Sequence, residues 1–456
     1  MSEVVKREKW GSKIGFILAA AGSAIGLGNI WKFPYIAGDN GGAAFVFIYL
    51  ISILVIGLPV LIAEVLIGRT TSLNPVGAFR KLSHGSKFWT AVGGMGVLAG
   101  FLILSYYAVV AGWSLGYIVE SIKGVFFEFK TPAEAGHYFN SLISNVWWIV
   151  GYFALFMALS MFVVILGVQK GIEKGSKILM PLLFVLMLVL VIRGLTLDGA
   201  SEGMKFLWYP DWSAVTGETI LLALGQAFFT LSLGMGAMLT YGSYMSKSDN
   251  IPVSAFEIVT LDTLIALLAG IAIFTAVFAT GLRPDSGPGL IFYTLPIVFT
   301  KMPGGYIFSI LFFILLSIAA LTSAISLLEV ITAYFVDEKG WSRKKAVLVF
   351  GTVTFIIGIP SALSYNVLAD VHIFGRNFFD TVDFLSANIL LPLGGLLIAL
   401  FVGYFWKTEN ALSALKEGAE NFFGKYGWFA VYWKIFIKYF APVLIAIVFL
   451  KSIGII

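Results

Sequence analysis

Long uninterrupted runs of apolar residues alternate with short polar connections along almost the whole chain. A helix needs about 20 apolar residues to cross the hydrocarbon core of a bilayer. Eleven runs reach this length and predict membrane-spanning helices over residues 13–36, 43–68, 88–122, 146–167, 177–196, 215–243, 252–281, 304–336, 343–362, 379–405 and 430–455. The third and eighth runs exceed the bilayer thickness, which predicts tilted helices. The pattern is that of an all-α integral membrane protein with one transmembrane domain over residues 1–456.

Composition excludes a water-soluble protein. Of 456 residues, 59% are hydrophobic and 12% are charged, whereas a soluble domain has about 25% charged residues. The chain has no cysteine, and therefore no disulfide, thiol nucleophile or thiolate metal site. The three histidines, His84, His137 and His372, lie in separate predicted loops without metal-ligand spacing, and no G-x-x-x-x-G-K-[ST] run is present. These features disfavour a membrane enzyme and an ATP-driven pump.

The distribution of basic residues predicts the topology. With a cytoplasmic N-terminus, 21 of the 30 lysines and arginines fall on the cytoplasmic side, as the positive-inside rule requires. An odd number of spans then places the C-terminus outside. This bias accounts for the net charge of +5, so no nucleic-acid partner is predicted. Because the first run has full length and no A-x-A site follows it, no removable signal peptide is expected. We expect a multi-pass protein of the cell (plasma or inner) membrane, surrounded by lipid.

Two predicted spans contain clusters of glycine, at Ala21–Asn29 and Thr230–Gly236. Glycine costs about 1 kcal/mol in a helix interior relative to alanine. On spacing alone, two explanations are about equally good. Gly22 and Gly26 match the small-xxx-small motif of packed helices, or the helices are unwound at these points. In a bilayer, unwinding is tolerated only where the freed backbone faces a cavity or an ion.

Polar residues beside the glycines favour unwinding. Asn29, Thr230 and Ser232 lie next to the clusters, near the middle of the bilayer. Carbonyl, amide and hydroxyl oxygens suit a monovalent cation better than a transition metal, and the N–H groups of a helix end suit a carboxylate. Broken helices in two spans that are five apart are typical of transporters built from inverted repeats.

Several segments of the chain resemble the neurotransmitter:sodium symporter family. They are Lys6–Glu8 with Trp10, Gly22–Tyr35, Asn40–Phe45, Glu64–Gly68, Gly225–Gly234 and Leu321–Ser323. The resemblance runs from the N-terminus through the last span, and it is closest to short prokaryotic members with eleven helices. It implies the leucine-transporter-like fold, a five-plus-five inverted repeat over residues 10–200 and 210–405. Helices one and six would be discontinuous and helix 430–455 peripheral.

The resemblance also implies two bound sodium ions. The first would be bound by carbonyl, amide, hydroxyl and carboxylate oxygens, those of Ala24, Asn29, Thr230 and Asp262, and by the carboxylate of the substrate. The second would be bound by three carbonyls and two hydroxyls, those of Gly22, Ile25, Ala319, Thr322 and Ser323. Taken without the family, the two adjacent hydroxyls would rather bond back to carbonyls of their own helix.

The substrate would lie between the two breaks. Its carboxylate would meet the N–H groups of Leu27 and Gly28 and the hydroxyl of Tyr107. Its ammonium would meet carbonyls and a hydroxyl, those of Ala24, Phe229, Thr230 and Ser232. The walls would be mostly apolar and formed by Ile103, Tyr107, Phe229, Met235, Ser323 and Leu327. Taken alone, Tyr107 and Phe229 would more often be packing aromatics.

Gly26 indicates the substrate class. Relatives that carry monoamines have aspartate at this position, which supplies the carboxylate that their substrates lack. With glycine, the substrate must bring its own carboxylate, and this favours an α-amino acid. Met235 lies between two glycines, and its unbranched side chain can move aside. We therefore expect bulky apolar or aromatic side chains on the substrate.

Asp262 lies inside the seventh predicted span, where many relatives have asparagine and bind chloride beside it. The chloride ligands of those relatives match Tyr49, Gln226 and Thr230, but the last position is Ala266, which cannot ligate an ion. We expect ionised Asp262 to supply the negative charge, so that no chloride is required. The alternative is a neutral, protonated Asp262, because burial disfavours the charged form.

Residues at both ends of the spans match the gates of the family. Lys32 and Asp383 match the extracellular pair, with a lysine that lacks the planar fork of arginine. The cytoplasmic network matches five residues, Arg7, Trp10, Ser243, Tyr244 and Asp337. Each could instead be an ordinary interfacial residue. Glu64 matches a glutamate that bonds to backbone freed at the first break, and no role is predicted for Glu329.

Together these expectations describe a sodium-coupled symporter that imports bulky hydrophobic or aromatic L-amino acids by alternating access and is not an enzyme. The segment from Gly171 to Pro181 is either an ordinary helix start or a stretch that unwinds to admit water to the second sodium. A channel or an amino-acid sensor of the same fold is the alternative function. No oligomeric state is predicted.

Overall fold

The computed structural model describes residues 8–282 and 287–455, and the regular elements in these ranges are helices. In chain order they are α1 Lys13–Ala24, α2 Gly28–Asp39, α3 Ala43–Thr71, α4 Pro75–Leu82, α5 Lys87–Lys123, α6 Pro132–Ser144, α7 Val146–Ile165, α8 Val168–Leu195, α9 Ala200–Trp208, α10 Gly217–Thr230, α11 Ala237–Gly242, α12 Ile251–Ala279, α13 Thr294–Lys301, α14 Gly305–Lys339, α15 Arg343–Leu363, α16 Phe378–Phe405, α17 Thr408–Lys416, α18 Glu420–Lys425 and α19 Trp428–Ser452. Three single turns of 3₁₀ helix lie at Val125–Glu128, Trp212–Ala214 and Gly287–Leu290.

Nine of the described helices are long and apolar enough to cross a bilayer. They are α3, α5, α7, α8, α12, α14, α15, α16 and α19. The pair α1 and α2 adds a tenth candidate span that is bent by 49° at its break. The remaining predicted span corresponds to α10 and α11, two short helices separated by six residues, so the count of eleven stays a prediction.

The predicted boundaries agree with the helices to within a few residues in most spans. The third run, 88–122, corresponds to Lys87–Lys123, and the ninth, 343–362, to Arg343–Leu363. The fifth is the exception, because the helix begins at Val168 instead of residue 177. The segment from Gly171 to Pro181 is therefore helical in this structure, and its first residues, Val168–Glu173, form wide π-type turns.

The break between α1 and α2 begins at Ile25, whose backbone is extended (φ −72°, ψ 105°). The break between α10 and α11 covers residues 231–236. Ser232, Gly234 and Gly236 have positive φ angles of 54°, 80° and 75° there, a region that side chains disfavour and glycine tolerates. A Cβ at Gly234 would lie 2.4 Å from the carbonyl oxygen of Leu391, so a larger residue would collide with α16.

The two breaks lie at the centre of the bundle. Helix α1 packs against α8, α12 and α14, and α14 makes its most extensive contact with α5. The hydrophobic part of α14 is 72% buried, whereas that of α19 is 22% buried. Helix α19 therefore lies at the periphery with its apolar side chains facing outward, and α14 supports the broken helices from inside.

Candidate functional site

A small cavity of about 30 Å³ lies between the two breaks. Ten of the predicted substrate-binding residues line it together: Ala24, Leu27, Gly28, Ile103, Tyr107, Phe229, Ser232, Met235, Ser323 and Leu327. Ser23 and Gly26 complete the lining, and Thr230 does not take part. The cavity has room for about one or two water molecules, so an amino acid requires side chains such as Met235 to move.

The N–H groups freed at the first break have partners from other elements. The Gly26 N–H donates to Oδ1 of Asn29 at 3.1 Å, and the Leu27 N–H donates to the Tyr107 hydroxyl at 3.3 Å. The Gly28 carbonyl accepts from Nε2 of Gln226 at 2.8 Å. Since such partners replace the missing helical turn, the unwound backbone is compatible with burial.

The carbonyls freed at the end of α1 face α14. The hydroxyl of Ser323 lies 3.0 Å from the carbonyl oxygen of Ser23, 3.3 Å from that of Ile25 and 3.4 Å from that of Gly22. Thr322 instead directs its hydroxyl to its own helix, at 3.0 Å from the carbonyl oxygen of Ala319. The structure thus brings together all five residues expected at the second sodium, and the back-bonding alternative describes Thr322 but not Ser323.

Two of the residues expected at the first sodium, Asn29 and Thr230, donate to the carboxylate of a third, Asp262. Asp262 is fully buried. Its Oδ1 accepts from Nδ2 of Asn29 at 2.8 Å and from the hydroxyl of Thr230 at 3.1 Å. Ala266 lies one turn further along α12 and is also buried.

Glu64 binds the second break, not the first. Its Oε1 accepts from the Gly234 N–H at 2.7 Å, so the expectation that it bonds to backbone freed at the first break is wrong. The physical reason is the path of α3, which packs along α11 and reaches the Gly234–Gly236 turn. The two breaks are instead joined by Ser232, whose hydroxyl donates to the Ser23 carbonyl at 2.8 Å.

Above the site, a vestibule of about 380 Å³ is lined mainly by aromatic side chains. Phe229 forms its floor and also lines the small cavity below. The ammonium of Lys32 lies 4.2 Å from the centroid of this ring, a cation–π contact. Lys32 and Asp383 both line the vestibule, but they are not among the salt bridges of the described residues. The expected outer gate residues are therefore neighbours without an ion pair.

On the side of the cavity opposite the vestibule, Trp10 fills the space between α1 and α11. Its Nε1 donates to the Tyr241 carbonyl at 2.9 Å, its N–H donates to the Tyr244 carbonyl at 3.2 Å, and its ring meets Tyr244 edge to face at 6.0 Å. Ser243 is buried beside them. Asp337 accepts from the Asn74 N–H at 3.0 Å. The predicted gate residue Arg7 lies outside the described residues.

A buried ion pair at this end involves residues to which the sequence assigned no role. Glu329 is fully buried, and it accepts two bonds from the Arg343 guanidinium at 2.6 and 2.9 Å and one from the Tyr244 hydroxyl at 2.5 Å. Arg343 also contacts Glu8 at 3.1 Å. A carboxylate inside an apolar run is the signal that identifies such a pair, because an unpaired charge there would be costly.

Acidic side chains also fasten the segment before α1 to the start of α8. Glu8 accepts from the Val168 N–H at 2.6 Å. Glu173 accepts from the Gly11 N–H at 2.6 Å, from the Ser12 hydroxyl at 2.9 Å and from Lys177 at 2.7 Å. This end of the bundle is therefore closed by several hydrogen bonds, whereas the vestibule at the other end is open.

The fold and the site define a class: a helical membrane protein with a small binding cavity between two broken helices, open on one side and closed on the other. The described residues contain no group of three or more His, Cys, Asp or Glu that could hold a metal ion.

Comparison with known proteins identifies the family. The family model described as the sodium:neurotransmitter symporter family matches residues 7–132 and 136–456. An uncharacterised sodium-dependent transporter of Bacillus subtilis is 46% identical over 99% of this chain and 98% of its own length. One from Haemophilus influenzae is 38% identical over 98% of each. The crystal structure of MhsT in complex with L-phenylalanine is 50% identical, covers 98% of this chain and 100% of that one, and superposes with a TM-score of 0.88. The chain belongs to the sodium:neurotransmitter symporter family.

Proposed function

We propose that this protein is a sodium-coupled symporter that imports bulky hydrophobic and aromatic L-amino acids by alternating access. It would carry two sodium ions with each amino acid and would not require chloride. The observation that carries the proposal is the pair of breaks, where backbone carbonyls and hydroxyls converge on one buried cavity. Similarity to the structure of MhsT in complex with L-phenylalanine supports an amino acid as the substrate.

The cavity favours a zwitterion with an apolar side chain. The N–H groups of Leu27 and Gly28 and the Tyr107 hydroxyl form the donor end, and Ile103 and Leu327 are apolar walls. Among the described residues, the lining of the cavity contains no lysine, arginine, aspartate or glutamate, so a charged side chain on the substrate would be buried without a partner of opposite charge, which is unfavourable. Gly26 leaves no room for a protein carboxylate, since even a Cβ there would lie 2.4 Å from Ser323 Oγ.

The two sodium ions would differ in their surroundings. The first would lie near Asp262, whose negative charge balances the ion and makes chloride unnecessary. The second would lie among the carbonyls of Gly22 and Ile25 and the hydroxyls of Thr322 and Ser323, which are neutral. Sodium prefers such hard oxygen ligands. At a membrane potential of 100 mV, the entry of two positive charges contributes about 4.6 kcal/mol, which corresponds to roughly a thousandfold or more accumulation of a neutral zwitterion.

Alternating access would use eleven spans, with the N-terminus in the cytoplasm and the C-terminus outside. The inverted repeats would cover residues 10–200 and 210–405 of a single transporter domain, with α1–α2 and α10–α11 as the discontinuous helices. The open vestibule would admit substrate from outside, after which Phe229 and Lys32 would close over it. Opening of the cytoplasmic side would require the Trp10 contacts and the Glu329–Arg343 pair to separate.

Uptake by purified protein in liposomes tests this function. With sodium outside and a negative potential inside, we expect accumulation of labelled leucine above its equilibrium level, competition by phenylalanine and tryptophan, and no effect of replacing chloride with gluconate. A strong preference for glycine or a charged amino acid would contradict the substrate class. A large loss without chloride would contradict the role of Asp262.

The same assay separates the alternatives. A channel would equilibrate leucine but not concentrate it, and a sensor would bind leucine with sodium without any uptake.

A further inference from the structure

Ser23 and Ser326 form a buried hydrogen bond beside the second sodium site, although neither is expected to bind the ion. Their hydroxyl oxygens are 2.7 Å apart, and both side chains are about 1% exposed. Ser326 in turn donates to the carbonyl of Ser323 at 2.7 Å. Ser323 donates to the carbonyl of Ser23 at 3.0 Å. Three hydrogen bonds therefore form a closed ring between the end of α1 and the middle of α14.

The Ser323 hydroxyl has more than one acceptor within reach. That hydroxyl has one hydrogen and three carbonyl oxygens within 3.4 Å, of which Ser23 is the nearest. A hydrogen directed at Ser23 leaves the carbonyls of Gly22 and Ile25 without a donor and the lone pairs of Ser323 Oγ available. These are the oxygen atoms that the second sodium requires.

The position of the Ser23 peptide depends on side chains as well as on the helix. Its carbonyl has lost the helical donor four residues later, because the Leu27 N–H donates to Tyr107. The carbonyl accepts instead from Ser232 and Ser323. The Ser23 hydroxyl is the third contact that holds this peptide, and Ser326 is its partner on α14.

We propose that Ser23 and Ser326 are positioning residues for sodium: their hydrogen bond holds the Ser23 carbonyl where it takes the Ser323 hydrogen away from the ion. The inference rests on the function proposed above. Without the bond, the Ser23 peptide shifts, and the Ser323 hydroxyl is shared with the carbonyls that should face the cation. The binding of sodium is then weaker.

Ser326→Ala and Ser23→Ala test this role in sodium-driven leucine uptake and in leucine binding. We expect each variant to raise the half-saturating sodium concentration by about fivefold, the value of one neutral hydrogen bond. In Ser326→Ala, whose side chain does not line the cavity, the maximal rate and the leucine KM at saturating sodium should stay within twofold of the wild type. The double variant should match the single ones, because the two side chains contribute to one bond. Ser326→Thr retains the hydroxyl, and its half-saturating sodium concentration should equal that of the wild type.

Ser317→Ala is the matched control. Ser317 lies on the same helix and forms the same kind of buried bond, with Ser114 of α5 at 2.8 Å, but it does not line the cavity. This variant should leave the sodium dependence unchanged. An unaltered sodium dependence in both Ser326→Ala and Ser23→Ala, or an equal shift in Ser317→Ala, would overturn the inference.

Two further outcomes are distinct from a failure of this inference. If the wild type shows no sodium-driven uptake, the proposed function fails and the variants are not needed to show it. If Ser326→Ala does not fold, as judged by its melting temperature and elution profile, the comparison between Ser23→Ala and the wild type decides the question with the same readout.

Discussion

Replacing Gly26 by alanine is the most direct test of the site, because the change adds one methyl group at its most crowded point. The added Cβ would lie 2.4 Å from Ser323 Oγ and 2.8 Å from Tyr107 Oη, whereas a comfortable contact is about 3.5 Å. Both oxygens must therefore retreat by roughly 1 Å. The movement breaks the bond from Ser323 to the Ser23 carbonyl and the bond from the Leu27 N–H to Tyr107.

The magnitude follows from these losses. Two neutral hydrogen bonds are worth about 2 kcal/mol, and residual crowding adds about 1 kcal/mol. If the total acts on binding, the combined affinity for sodium and leucine falls roughly 150-fold. The assay is equilibrium binding of labelled leucine to purified protein over a range of sodium concentrations, with uptake in liposomes as the second readout.

Gly94→Ala is the control for a glycine-to-alanine change in the membrane. Gly94 lies in α5, and an added methyl group meets no atom within 4 Å. It should leave binding unchanged and slightly raise the melting temperature, since alanine is the better helix former. Wild-type binding of sodium and leucine by Gly26→Ala would refute the assignment of this cavity as the binding site.

Three further predictions use other parts of the structure. Asp262→Asn removes the charge proposed to balance the first sodium, so sodium-driven uptake in chloride-free buffer should fall at least tenfold, and unchanged uptake would contradict that role. Glu64→Leu leaves the buried Gly234 N–H without an acceptor, which should cost about 1–3 kcal/mol and lower the melting temperature, whereas Glu64→Gln, which keeps an acceptor oxygen, should lower it less. Glu329→Gln weakens the buried ion pair with Arg343 that closes the end of the bundle opposite the vestibule. The chain has no native cysteine, so the single thiol of a Ser243→Cys background reports the opening of this end. Breaking a buried pair costs about 3–5 kcal/mol, so the thiol should react with a thiol reagent at least tenfold faster when Glu329→Gln is added to this background. An equal rate would show that the pair does not control access.

Much of the fold and of the site follows from the sequence. The lengths of apolar runs predicted the spans because the bilayer imposes a minimum length on each. The glycine clusters and the polar residues beside them located both breaks, and ten residues expected to bind the substrate line one cavity. The apolar runs and the glycine clusters are local features of the chain, whereas the ten cavity residues come from separate helices and were expected from the family resemblance.

Only the tertiary structure decided which distant groups meet. Glu64 reaches Gly234, 170 positions away, and not the first break. Glu329, without a predicted role, pairs with Arg343 and Tyr244, and Lys32 lies over Phe229 instead of pairing with Asp383. The physical reason is that buried polar groups must find partners wherever helix packing places them. The identity of a residue fixes that it needs a partner, but the path of the neighbouring helices determines which partner it has.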